Sequence, residues 1–187
     1  MFLKPSGITL YPTDTVYGLG VDATDPEAVR ALIELKGRPD GKPISIVVAD
    51  MAMAEQYAEV TPLARRLAAR FLPGKLTLVL TARNLPDEIT AGTGTVGIRI
   101  PDHPAPMRLV RELGRPITAT SANVAGMPTM GSTPDILAQF GEKASHITRV
   151  IDGGTLSGSV STIVDAQGES PLLIREGAIP FSEIALS

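Results

Sequence analysis

Three cations crowd the stretch KGRPDGKP at residues 36–43. Lys36, Arg38 and Lys42 stand among two glycines and two prolines, in a chain whose formal net charge is −3. A lysine in the last turn of a helix is favoured by the helix dipole alone. Arg38 and Lys42 are not explained that way. Gly37, Pro39, Gly41 and Pro43 bar helix continuation and restrict the backbone. A stiff loop can aim several cations at one point, and a polyphosphate is the natural target: arginine offers a planar fork and lysine a point charge. A loop carrying its charges into water is the competing reading.

Other stretches carry weaker signals of the same kind. YPTDTVYGLG, residues 11–20, reads as a pocket rim beyond a strand end, or as a turn whose Thr and Asp bond their own backbone. Its GLG lacks a third glycine and opens no helix, so it is not a dinucleotide fingerprint, and no Walker P-loop occurs anywhere. In TATSANVAG, Ser121 and Asn123 follow a strand, where amides and hydroxyls can cradle phosphate. GGTLSGSVSTIVD reads as a flexible hairpin loop or a mobile lid. Arg175, inside LLIRE, has Glu176 beside it as a ready partner. His103 and His146 lack the carboxylate company of a metal site or catalytic triad and are assigned to structure or surface. The inventory contains no evident nucleophile or general base. It contains cations and hydroxyls, the equipment of a site that positions polyanions.

The elements that must hold these residues are legible in part. A length of 187 residues with 43% hydrophobic content predicts a single domain, 1–187, with a real core. The pI near 5.4 argues against a broad nucleic-acid surface. The absence of cysteine excludes disulfides, thiolate metal sites and a Cys nucleophile. No apolar run matches a signal core or membrane span, so the expectation is a cytoplasmic protein without membrane contact. GITLYP, PISIVVA, KLTLVLT, TVGIRIP, PITATS, SHITRVID, VSTIVD and PLLIRE read as strands. Helices are expected after the Asp25 cap with Pro26, from Thr61-Pro62 to Phe71, from Pro104 to Leu113, and from a Thr133-Pro134 cap to near Gly141. This rhythm predicts an α/β (α+β mixed) fold. Its sheet is twisted and mixed parallel/antiparallel, with helices mainly on one side and an open, concave, basic ligand face.

Period two sorts the side chains. In TVGIRI, Val96, Ile98 and Ile100 point to the core, while Thr95, Gly97 and Arg99 share the other face. The bare Gly97 between Thr95 and Arg99 is expected to leave room for a ligand. In PITATSAN, Ile117, Ala119 and Ser121 share a face, and Thr118 and Thr120 take the opposite one.

Taken in order, YPTDTVYGLG, KGRPDGKP, PGKLTLVL, VGIRIPDHP, TATSANVAGMPT, STIVD and IREG resemble the YrdC-like family, the threonylcarbamoyl-adenylate synthases, from about Gly7 to Ala178. The resemblance implies a nucleotidyltransferase that joins L-threonine, bicarbonate and ATP into threonylcarbamoyl-AMP and pyrophosphate. The product would feed modification of the adenosine next to the anticodon of certain tRNAs, completed by partner transfer proteins. Carried over residue by residue, Thr15, Arg99, Ala119 and Ser161 would bind L-threonine. Arg38, Lys42, Thr95, Ser121, Asn123, Thr129 and Arg175 would bind ATP. Lys36 and Arg38 would supply the catalytic charge, and Mg2+ would ride on the phosphates rather than on a protein cage. Val47 stands where other members often carry a histidine. A leading helix and a further C-terminal domain are expected to be missing, leaving closure to loops such as GGTLSGS. An RNA-binding module of the same fold, holding tRNA or structured RNA, and a paralogue without synthase activity are the alternatives.

Overall fold

The computed structural model describes residues 7–37 and 41–186. Arg38, the most sharply drawn phosphate ligand of the sequence, lies outside the described residues.

Nine strands make one mixed sheet among the described residues: β1 (Ile8–Tyr11), β2 (Gly18–Gly20), β3 (Ser45–Val47), β4 (Leu76–Thr81), β5 (Thr95–Arg99), β6 (Ile117–Ser121), β7 (Ile147–Val150), β8 (Thr162–Asp165) and β9 (Leu172–Arg175). Their spatial order is β7-β1-β2-β6-β3-β5-β4-β8-β9. The β1/β7, β3/β5 and β4/β8 pairs are parallel, and the remaining neighbours run antiparallel. The late strands do not form one local unit. β8 and β9 pair with each other, but β7 sits at the far edge beside β1.

The helices are α1 (Pro26–Lys36), α2 (Met51–Tyr57), α3 (Pro62–Phe71), α4 (Asp87–Thr90), α5 (Pro104–Leu113), α6 (Thr133–Phe140) and α7 (Phe181–Ala185), with a 3-10 turn at Gly141–His146. Their ends follow local chemistry. Asp25 accepts from the Glu27 and Ala28 amides, Pro26 opens α1, and Gly37 closes it at φ 59°. Thr61 caps α3. His103 caps α5 by accepting the Ala105 N–H on Nδ1 at 3.1 Å. α6 corrects the sequence reading by one residue, because Ser132 rather than Thr133 supplies the cap. α2, α4 and α7 were not anticipated.

Successive strand residues serve opposite faces. Leu10 and Ile46 enter the larger core with Leu32 of α1, Leu67 of α3 and Ile136 of α6. Tyr11 and Val47, one residue on, join a smaller core with Leu109 and Val110 of α5. Among the described residues α1, α3 and α6 thus serve one face, and α5 covers part of the other. The uncovered part is where the functional side chains collect.

GLG is strand β2, not a loop, and its glycines answer to Tyr11. A Cβ on Gly18 would lie 2.9 Å from the Tyr11 ring, and one on Gly20 would lie 2.7 Å from it. The ring therefore lies across β2, and its hydroxyl donates to the Thr118 carbonyl of β6 at 2.9 Å. Gly20→Ala is expected to cost about 1–3 kcal/mol, as overpacking against a buried ring does, measurable by urea denaturation. An unchanged midpoint would show that the ring shifts freely.

Gly97 also corrects its sequence reading. A Cβ there would meet Ser45 Oγ at 2.3 Å and Thr77 Cγ2 at 2.9 Å. The gap is filled by neighbouring strands' side chains, not left for a ligand.

Candidate active site

On the face that α5 leaves uncovered, a cleft is lined by residues of β1, β2, β3, β4, β5 and β6, the start of β8 and the end of β9. Thr15, Arg99, Ala119 and Ser161 all line it, as do Ser121 and Arg175. Six side chains drawn from five separate stretches of sequence therefore share one cavity. Tyr11 and Val47 give the cleft an apolar wall, and Thr13, Ser45 and Thr77 add hydroxyls.

Arg99 is the most constrained of these groups. Its Nη2 donates to Asp14 Oδ1 at 2.6 Å and to Thr15 Oγ1 at 2.7 Å. Both partners of the ion pair are buried, with side chains 10% and 9% exposed. Arg99 Nε and Asp14 Oδ2 are buried without a hydrogen-bond partner. Burial pushes the Arg99 pKa down, and the Asp14 carboxylate opposes that shift. A guanidinium stripped of water and only partly paired favours an arriving anion.

Arg175 faces the same space. Its Nη2 donates to the Ser161 carbonyl at 2.9 Å. The expected pairing with Glu176 does not occur: Glu176 Oε1 instead accepts the Phe181 N–H, and no salt bridge to Arg175 is found among the described residues. Although Arg175 is exposed at the sheet edge, partial desolvation of its guanidinium first, then the positive charge of Arg99, pulls its pKa below the ordinary value. A guanidinium held below its ordinary pKa by a second positive charge across the cleft makes the space between them receptive to an anion.

The remaining sequence candidates among the described residues do not line the cleft. Lys42 is exposed and adjoins Pro43, which does line it. Thr95 bonds Thr93 through their hydroxyls at 2.9 Å. Thr129 is exposed. Asn123 accepts from Ser121 Oγ at 2.5 Å and donates to the Val124 and Met127 carbonyls. Lys36 is buried to 3% exposure, and its ammonium donates to the carbonyls of Ser121 and Asn123. Its geometry is that of a brace under the Ser-Ala-Asn turn.

That turn does not form the expected amide cradle. The Ala122, Asn123, Val124 and Ala125 N–H groups go to Tyr17 O, Ser121 O, Gln139 Oε1 and Lys36 O. Whatever Ser121 offers a ligand comes from its hydroxyl.

Residues 151–161 are not a hairpin loop, since β7 and β8 lie on opposite halves of the sheet. They form a strap tied at several points. Tyr17 Oη donates to the Gly154 carbonyl at 2.7 Å and accepts the Gly153 N–H at 2.8 Å. Leu156 N–H reaches Gly131 O. Gly158 packs so closely on Thr15 that a Cβ would lie 2.2 Å from its carbonyl oxygen.

Sequence reasoning passed over Asp14 and Thr77. Asp14 stands in a stretch that reads as a pocket rim or a turn, with no partner of its own marked. Thr77 bonds Ser161 through their hydroxyls at 2.9 Å. Its signal was the alternation in β4, where Leu76, Leu78 and Leu80 all enter the core and leave Thr77 for the cleft.

The family model Sua5_yciO_yrdC, described as "Telomere recombination", matches residues 1–177. The threonylcarbamoyl-AMP synthase of Pyrococcus abyssi is 40% identical over 186 residues, covering 98% of this chain and 54% of that protein. The threonylcarbamoyl-AMP synthase of Bacillus subtilis is 38% identical, covering 97% and 53%. The structure of P. abyssi Sua5 complexed with L-threonine superposes with a TM-score of 0.91 at 39% identity, covering 98% of this chain and 54% of that one. The chain thus spans about half the length of these two curated relatives.

Proposed function

The chain belongs to the Sua5–YciO–YrdC family, and from that premise we propose that it carries the threonylcarbamoyl-AMP synthase activity for which its relatives are named. The reaction class is nucleotidyl transfer: L-threonine, bicarbonate and ATP give threonylcarbamoyl-AMP, pyrophosphate and water. The product would serve the modification of adenosine next to the anticodon of certain tRNAs, through partner transfer proteins, in the cytoplasm. Residues 1–187 are read as one domain of this family. No helix among the described residues is long and apolar enough to cross a membrane.

The observation that carries this reading is the pairing of Arg99 and Arg175 in one cleft lined by the hydroxyls of Thr15, Ser121 and Ser161. In this assignment Arg99 Nη1, which has no partner among the described residues, takes the amino acid's carboxylate. The amine captures carbon dioxide as a carbamate. A carbamate oxygen then attacks the α-phosphorus of ATP, and the bond to the β-phosphate oxygen breaks. Arg175 and Lys42, with Arg38 on the sequence reading, stabilise the triphosphate, and Ser121 supplies a hydroxyl beside it. Both reactants are anions, so fixed positive charge and alignment are the catalytic terms the site can provide. Among the described residues no group of three His, Cys, Asp or Glu side chains could hold a metal ion. Magnesium would enter as the counter-ion that ATP brings, and no step is assigned to it.

The test is pyrophosphate release with ATP, L-threonine and bicarbonate omitted in turn, together with transfer of bicarbonate carbon into an AMP-containing product. Release that requires all three supports the synthase. Release without threonine removes it, and tight salt-sensitive RNA binding without turnover would favour an RNA-binding module.

A further inference from the structure

The hydrogen positions in the Thr13–Thr15 pair follow from counting. Thr13 has one hydroxyl hydrogen, and its Oγ1 lies 2.7 Å from the Val16 carbonyl, which can only accept. That hydrogen is therefore committed. The contact between Thr13 Oγ1 and Thr15 Oγ1, 2.9 Å, must then be donated by Thr15. Thr13 Oγ1 also accepts the Thr15 N–H at 3.0 Å, so both its lone pairs are used. Thr15 in turn gives its hydrogen to Thr13 and accepts from Arg99 Nη2 at 2.7 Å. One lone pair on Thr15 Oγ1 remains for the cleft, and no hydrogen does.

We infer that Thr13 is a positioning residue that fixes the polarity of Thr15, so that the cleft reads a substrate N–H at Thr15 and an anionic oxygen at Arg99. This inference rests on the reading of the cleft as an amino-acid site and deepens it. An α-amino acid carries an N–H donor beside its carboxylate, and so does its N-carboxylated form. Were Thr15 free to rotate, its hydroxyl could equally donate to a carboxylate or keto oxygen, and the site would accept 2-oxo acids as readily. Thr13 does not line a merely polar patch: it is 5% exposed and Thr15 2% exposed, so no bulk water competes for these positions.

The test compares two ligands of the whole chain by calorimetry, 2-aminobutanoate and 2-oxobutanoate, which share a carboxylate and carbon skeleton but differ in the N–H donor. The parent protein is expected to prefer 2-aminobutanoate by about tenfold or more, the worth of one well-placed hydrogen bond to a charged donor. Thr13→Val frees the Thr15 hydroxyl and is expected to bring that preference to within about twofold, while Thr13→Ser restores it. Thr15→Val removes the acceptor and is expected to collapse the preference as well, which keeps the question answerable should Thr13→Val fold poorly. A preference unchanged in Thr13→Val, or in Thr15→Val, overturns the inference. So does an equal loss of both ligands, which a purely structural role would give. A parent protein that binds neither ligand overturns the amino-acid reading of the cleft itself.

Discussion

Arg99→Ala is expected to lower kcat/KM for the amino acid by about 10²- to 10³-fold, the range found when one preorganised charge-stabilising donor is removed. It is also expected to cost about 3–5 kcal/mol of stability, because it leaves the carboxylate of Asp14 buried without its cation. The two effects have different origins and separate in a double-mutant cycle. Asp14→Ala alone should likewise destabilise, since it strands the guanidinium. The double variant removes both charges and should recover much of the lost stability without recovering turnover. Thermal unfolding and steady-state kinetics on the four proteins check this. Stability that falls additively in the double variant would mean the two residues do not act as a pair.

Lys36→Met should be the second most damaging change. The substitution keeps length and burial but removes the ammonium from the Ser121 and Asn123 carbonyls. With charge-assisted hydrogen bonds worth about 1.5–3 kcal/mol each and partial relaxation of the turn, a loss of about 2–4 kcal/mol is expected. The turn is tied to α1 a second time, through the Ala125 N–H on the Lys36 carbonyl, so it should loosen rather than detach. Ser121 sits on that turn and lines the cleft. The KM for ATP is therefore expected to rise more than the KM for threonine. Loss of turnover at full stability would instead mean that the Lys36 ammonium acts on the substrate directly.

These two residues show how far the sequence carried the reading. Arg99 was legible because β5 alternates cleanly: Val96, Ile98 and Ile100 occupy the core, and that alone fixes the side of the sheet Arg99 faces. The same rule could not say what its neighbours do. Gly97 looked like an opening until Ser45 and Thr77, from the strands on either side, proved to fill it. Strand order is a long-range property, and a period-two pattern carries none of it. The glycines of GLG were ambiguous for the same reason, since their partner is a tyrosine ring reached from the preceding strand.

Lys36 illustrates the reverse case. Its place in the last helical turn was evident, but a cation near a helix end has several partners open to it. Only the fold brings the Ser-Ala-Asn turn, some 85 residues on, under its ammonium. Asp14 was hidden by its type, because an aspartate between two threonines after a strand reads as a turn former. Nothing local says that its carboxylate meets an arginine 85 residues away. The short helix α2 was missed although Asp50, which accepts the Met53 N–H at 2.8 Å, marks its start. Only Ala54 of its seven residues is fully buried, so its apolar stripe is faint.

The most direct test of a shared cleft for two anionic reactants is a comparison of Arg175→Ala with Arg99→Ala in steady-state kinetics, varying ATP and L-threonine separately. Arg175 is exposed at the sheet edge and its loss should leave folding intact. It is expected to raise the KM for ATP by about tenfold or more while leaving that for threonine within about twofold, and Arg99→Ala should do the opposite. Two variants that raise the same KM, or an Arg175→Ala protein that turns over like its parent, would contradict the assignment of the two guanidiniums to different reactants.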